Sequence, residues 1–95
     1  MSLPAGPYWG VMAKGTIRYW AAAREAAGVS EEPYDAGTLA DALAAAGSRR
    51  GPEFARVLGR SSFLIDGEPV GTRDRTGIPL PDGGIIEVLP PFAGG

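Results

Sequence analysis

The run Ile85-Ile86-Glu87-Val88-Leu89 is the most apolar strand-like segment of the chain, and it sits between Pro81-Asp82-Gly83-Gly84 and Pro90-Pro91. Branched aliphatic residues at this density suit a pleated, buried surface, while the Asp-Gly-Gly stretch marks a turn before it. The two prolines stop it, because neither can donate a ladder hydrogen bond. A strand this apolar belongs inside a sheet, so the rest of the chain must supply its neighbours and a layer to cover it.

The neighbours can be read in order. Thr16-Ile17-Arg18-Tyr19-Trp20 is β-branched and aromatic and predicts the first strand. Glu32-Pro33-Tyr34-Asp35 is a short second strand, in which Pro33 is tolerable only at an edge or a start. Ser62-Phe63-Leu64-Ile65 is a third, and Asp66-Gly67 turns it as a hairpin into Glu68-Pro69-Val70. Arg73 to Gly77 reads as a polar loop, and Ile78-Pro79-Leu80 leads into the turn before the last strand.

The covering layer is helical. Ala21 to Ala27 is alanine-dense and meets a stop signal at Gly28. Thr38 caps a second helix with Asp41 in capping-box position, and Leu39, Ala42, Leu43 and Ala46 form its apolar stripe up to Gly47. Pro52 suits the first position of a short extra helix with Phe54, Val57 and Leu58 on one face. The order β, α, β, α with that extra helix, then β and β, predicts an α+β fold. Its sheet is mixed, its helices pack on one face, and its first and last strands form the central pair.

Three regions follow. Residues 1–11 (with Pro4, Gly6, Pro7 and Gly10) lack any period and read as a flexible leader or a non-native extension, with Met12 as a natural start. Residues 12–89 form the domain, and residues 90–95 form an extended tail ending in Gly-Gly. At 95 residues there is one core. A chain of this size buries only about 60 to 65% of its unfolded surface, which disfavours a deep enclosed active site.

Charge and composition remove further classes. A net charge of −2 and a pI near 5.0 give no attraction for nucleic acid or an anionic membrane. The clusters Arg49-Arg50 and Arg73 with Arg75 read as solvated loop charges. Cysteine and histidine are both absent, which leaves no thiolate nucleophile, no imidazole base, no disulfide and no usual zinc site. No apolar run approaches the about 18 residues that span a bilayer, and the N-terminus lacks a signal-peptide pattern, so the expected location is cytoplasmic.

The C-terminal residues carry the chemistry. Pro90 and Pro91 hold φ near about −65° and send the chain out as a rod, after which Ala93, Gly94 and Gly95 are slim enough for a partner's narrow tunnel. With 15 glycines in the chain, a terminal Gly-Gly arises by chance in roughly one such sequence in forty. Its place directly after a strand and Pro-Pro is what gives it weight. A terminal carboxylate, with a pKa of about 3.3 to 3.7, is ionised at neutral pH and is a poor electrophile. Activation as a mixed anhydride with AMP, followed by displacement of AMP by sulfur, is the general solution. The chain has no P-loop, no dinucleotide fingerprint and no set of catalytic bases, so a separate ATP-dependent enzyme is required.

Over Thr16 to Gly95 the sequence resembles the MoaD/ThiS family of ubiquitin-like sulfur carriers, in particular the longer molybdopterin synthase small subunit (MoaD) type and its CysO-like relatives. The resemblance is carried by Ile17-Arg18-Tyr19-Trp20-Ala21 with Arg24-Glu25 and Gly28, and by the Ile65-Asp66-Gly67-Glu68 hairpin. Leu80-Pro81-Asp82-Gly83 running into Val88-Leu89-Pro90-Pro91-Phe92-Ala93-Gly94-Gly95 is the specific block. It implies a β-grasp fold and a Gly95 that an E1-like MoeB-type enzyme adenylates, using ATP and a sulfide source, and converts to a thiocarboxylate. It implies no stably bound cofactor and no metal. Gly94 and Ala93 would thread into the partner, Phe92 would grip the channel mouth, and Trp20, Pro69 and Leu89 would form an apolar docking patch.

The implied role is a noncatalytic carrier for molybdenum cofactor synthesis, paired with a MoaE-like sulfur acceptor. The neighbouring alternatives are a carrier for cysteine, thiosugar or thiamin-thiazole synthesis. A ubiquitin-like protein modifier and a passive β-grasp interaction module belong to different classes.

Overall fold

The computed structural model describes residues 12–91. The expectations for Met1 to Val11 and for Phe92, Ala93, Gly94 and Gly95 lie outside the described residues.

Five strands, β1 (Ala13–Tyr19), β2 (Glu31–Ala36), β3 (Ser62–Ile65), β4 (Glu68–Pro69) and β5 (Ile85–Leu89), form one sheet in the order β2-β1-β5-β3-β4. The last strand is central, as its apolar character requires. It runs parallel to β1, with Thr16 opposite Ile85 and Tyr19 opposite Val88, and antiparallel to β3, with Phe63 opposite Val88. The outer strands β2 and β4 are antiparallel to their neighbours. Pro33 therefore sits on an edge strand, where its missing N–H costs no ladder bond.

Helices α1 (Ala21–Ala27), α2 (Leu39–Ser48) and α3 (Pro52–Arg60) supply the covering layer. Their stripes meet the inward residues of the sheet in one core: Ile17, Tyr19, Ile86 and Val88 from the central pair, with Ala23, Leu39, Leu43, Phe54 and Leu58 from the helices. Local signals set three of the helix boundaries as expected. Gly28 is left-handed at φ 83° and its N–H donates to the Arg24 carbonyl, Thr38 accepts from the Asp41 N–H, and Pro52 opens α3. This is the β-grasp arrangement.

Several boundaries differ from the sequence reading. β1 begins three residues before Thr16, because Ala13 and Lys14 find partners in Ala36 and Asp35 across the sheet. Trp20 leaves the strand to become the N-cap of α1. Helix α2 runs through Gly47 to Ser48, and the extra helix spans nine residues. The loop after β4 contains a 3-10 turn at Arg75–Gly77.

Close packing at the start of β1 depends on a missing side chain. A Cβ on Gly15 would overlap the Gly84 carbonyl and the Tyr34 ring. Tyr34 covers that gap from β2 and donates its hydroxyl to the Pro81 carbonyl. The turn before β5 is held to β2 by this bond, and to β1 by Thr16 N–H donating to the Gly84 carbonyl at 3.0 Å.

The arginine clusters are not simply solvated. Arg50 lies between helices and sheet, with only 14% of its side chain exposed. It forms a two-pronged pair with Glu32 at 2.8 and 3.0 Å and donates to the carbonyls of Ala27 and Ala46. Its guanidinium also lies 4.8 Å from the Phe54 ring centroid. Arg49 adds a third contact to Glu32 at 3.0 Å, and Tyr19 donates its hydroxyl to the same carboxylate. Edge strand β2 is thereby clamped to all three helical segments. Burial alone would raise the Glu32 pKa, but the bonds from Arg50, Tyr19 and Arg49 outweigh it and hold the carboxyl below its ordinary range. Burial, reinforced by Glu32, pushes the Tyr19 hydroxyl the other way. Arg73 instead donates to the carbonyls of Val70 and Pro69, and Arg75 stacks over Phe63.

Candidate functional site

The chain leaves the domain at the end of its central strand, so whatever the tail does is done from the best-anchored point of the sheet. The surface there is built by three junctions. At the first, β1 passes into α1 within one residue. The Trp20 N–H still donates to the Val88 carbonyl at 3.2 Å, continuing the parallel ladder, while its own carbonyl accepts from Ala23 at 2.9 Å, starting the helix. Ala21 makes this reversal with φ at 48°, a left-handed conformation that costs a non-glycine residue about 1 kcal/mol.

The sharp turn sets the Trp20 side chain on the outward face of the sheet, 44% exposed. Its indole Nε1 donates to Glu87 Oε1 at 3.0 Å. Glu87 points outward because Ile86 and Val88 on either side point into the core. The second junction is the end of β5, where Leu89 is half-buried opposite Ser62 and leads into Pro90 and Pro91. The third is the passage from α3 into β3, which brings Arg60 and Ser62 to the same place.

Together these junctions enclose an open groove of about 590 Å³. Trp20, Leu89, Pro90 and Pro91 form its apolar walls, Ala21 and Ala22 a shallow floor, and Arg60 and Ser62 its polar rim. The groove thus contains Trp20 and Leu89 from the expected patch. Pro69 does not line it. The register places Pro69 opposite Leu64, and Leu64 opposite Glu87, so Pro69 shares the outward face two strands away from β5. At the usual strand spacing that is about 10 Å. Gly95, Gly94, Ala93 and Phe92 follow Pro91 in the chain and lie outside the described residues.

Four residues here went unread in the sequence. Arg60 looked like an ordinary charge at a helix end, Ala21 and Ala22 like helix formers, and Glu87 like a polar break in an apolar strand. Only Glu87 carried a signal, as the single charge in strand alternation with Ile86 and Val88.

A second depression of about 440 Å³ lies between α2 and the β1–β2 pair, where Ile17, Pro33, Tyr34 and the alanines of α2 meet Lys14, Asp35 and Arg49. Among the described residues no group of three or more His, Cys, Asp or Glu could hold a metal ion. No helix among them is long and apolar enough to cross a membrane.

A β-grasp domain whose central strand ends beside an exposed apolar groove and continues into Pro-Pro and Gly-Gly defines a ubiquitin-like protein. The comparisons make this specific. The family model described as ThiS family matches residues 17–95. The solution structure of small archaeal modifier protein 1 (SAMP1) from Methanosarcina acetivorans superposes with a TM-score of 0.77 at 27% identity, covering 90% of this chain and 100% of that one. The putative molybdopterin converting factor subunit 1 of Pyrococcus furiosus gives 0.67 at 23% identity, covering 84% and 99%. A complex of subunits 1 and 2 of molybdopterin-converting factor from Helicobacter pylori gives 0.61 at 23%, covering 86% and 99%. No curated protein matches the chain significantly. The chain belongs to the ThiS family. It is a small ubiquitin-like sulfur carrier, and it works with partner enzymes rather than as a catalyst.

Proposed function

We propose that Gly95 is the reactive residue, and that it carries sulfur as a C-terminal thiocarboxylate. The Gly95 carboxylate attacks the α-phosphate of ATP in an E1-like MoeB-type enzyme, pyrophosphate leaves, and a sulfide-level donor displaces AMP to leave C–S in place of C–O. The thiocarboxylate sulfur then bonds to the substrate held by an acceptor enzyme, and water cleaves the acyl–sulfur bond to restore the carboxylate. The carrier's contribution is presentation: a central strand that anchors the tail, a Pro-Pro rod, and slim final residues that a narrow tunnel can close around.

The observation that carries this reading is the groove at the tail root. Trp20 and Leu89 line it together with Pro90 and Pro91, which supports a surface that an enzyme taking in the tail would meet. Pro69 extends the same face outward, and Phe92, two residues beyond Pro90, would sit at the channel mouth. Molybdopterin synthesis is the favoured destination. Two of the similar structures bear the name of a molybdopterin-converting factor subunit, and one was determined with its second subunit, which makes a MoaE-like subunit the favoured acceptor.

The name of the Methanosarcina structure favours a second reading, as a protein modifier joined to lysines through Gly95. Both readings share the adenylated intermediate and differ in the nucleophile. Incubation of the chain with ATP, Mg²⁺, a MoeB-type enzyme and a sulfide source, followed by intact mass measurement, separates them. Replacement of one oxygen by sulfur supports the carrier, lysine conjugates support the modifier, and an unchanged mass under all conditions rejects both.

A further inference from the structure

We infer that the groove at the tail root is read by a carboxylate of the activating enzyme, which pairs with Arg60 while an apolar side chain beside it enters between Trp20 and Leu89. This rests on the function proposed above and names the chemistry of the surface that the groove meets.

The basis is what the other arginines do. Arg18, Arg49, Arg50 and Arg56 are paired with carboxylates. Arg73 is bound to backbone carbonyls, and Arg75 stacks on Phe63. Arg24, exposed on α1 and also without a carboxylate partner among the described residues, lies away from the groove lining. Arg60 is exposed and has no acidic partner among the described residues, and it is the one ionisable residue among those lining the groove. The carboxylate at this end of β5, Glu87, is engaged by the Trp20 indole on the outward face. The groove therefore combines apolar walls with one positive charge at its rim, and that guanidinium is not ion-paired among the described residues. A planar guanidinium matches a carboxylate in a two-pronged geometry, and its attraction strengthens when apolar walls exclude water from the closed interface.

The same charge argues against a second copy as the occupant. A twofold pairing through this groove would bring Arg60 toward its own counterpart, and like charges facing each other across an interface are costly. A purely local role for Arg60, at the C-terminal end of α3, is a favourable interaction with the helix dipole. That role affects stability and leaves recognition unchanged, so the two are separable.

The test uses the full chain in ATP–pyrophosphate exchange catalysed by the MoeB-type enzyme, with carrier concentration varied for wild type, Arg60→Lys, Arg60→Ala and Arg60→Glu. The expected result is a KM for the carrier about tenfold higher in Arg60→Glu, intermediate in Arg60→Ala and close to wild type in Arg60→Lys, at unchanged kcat. Added salt should raise the wild-type KM, leave that of Arg60→Ala nearly flat and lower that of Arg60→Glu. Thermal melts of the four proteins report the helix-dipole contribution separately. Equal KM values across the series overturn the inference, and so does sedimentation showing a wild-type dimer that Arg60→Glu dissolves. If wild type itself supports no exchange, the reading of Gly95 fails and this inference falls with it.

Discussion

The indole Nε1 of Trp20 donates a hydrogen bond to Glu87 Oε1 at 3.0 Å, holding an exposed aromatic ring against the strand that carries the tail. The bond joins residues 67 positions apart in the chain. Its effect is to fix the ring before any partner arrives, so less rotamer freedom remains to be lost on docking.

Trp20→Ala should therefore damage recognition more than folding. An aromatic anchor at the centre of an interface contributes about 2 kcal/mol, which is roughly a thirtyfold loss in Kd. Because the ring is 44% exposed, the melting free energy should fall by no more than about 1.5 kcal/mol. Calorimetric titration into the activating enzyme, beside a urea melt, measures both.

A branched residue near the end of the tail should block chemistry without touching the fold. Gly94→Val is expected to slow thiocarboxylate formation by about 100-fold or more, since the side chain displaces Gly95 from its reactive position. Stability should stay within about 0.5 kcal/mol of wild type. Rapid-quench mass measurement gives the rate. Equal rates would show that the tail does not pass through a narrow channel.

The Glu32–Arg50 clamp makes a pH-dependent contribution to stability. The folded state holds the Glu32 carboxyl below its ordinary range, so it favours the ionised form relative to the unfolded chain. That contribution is complete above the unfolded value of about 4.3 and is lost as pH falls toward the folded value. Urea midpoints should drop below about pH 5 in wild type, with a shallower drop in Glu32→Gln. At neutral pH, Arg50→Ala should cost about 3 kcal/mol, because it strands a partly buried carboxylate and two backbone carbonyls.

Gly15→Ala tests the contact between β1 and the turn before β5. The added methyl meets a backbone carbonyl on one side and the Tyr34 ring on the other, so neither can simply rotate away. A loss of about 3 kcal/mol is expected, read as a shift in the urea midpoint. Gly47→Ala, in open space on α2, should instead be neutral or mildly stabilising.

Legibility differed from element to element. Thr38, Gly28, Pro52 and Asp66-Gly67 act through their own neighbours in the chain, and all of them do in the structure what their residue types suggest. Arg50 is the contrary case. Its neighbours Arg49 and Gly51 suggest a solvated turn, yet Glu32, 18 positions earlier, is brought against it by the packing of β2 on the helices. The candidate site divides the same way. Leu89 and the tail were visible as a strand followed by Pro-Pro-Phe-Ala-Gly-Gly, and Trp20 through a family resemblance, whereas Arg60 and the alanine floor became part of the site only where three chain junctions converge.

The sequence by itself determined the order of elements, most of their caps and turns, and the central place of Ile85–Leu89, because these follow from steric rules and periodicities that act within a few residues. The tertiary structure decided where β1 begins, which arginines are paired, and that Pro69 lies beyond the groove holding Trp20 and Leu89. Those outcomes depend on which distant residue the register and packing bring opposite, and that relation is not encoded in any local stretch of chain.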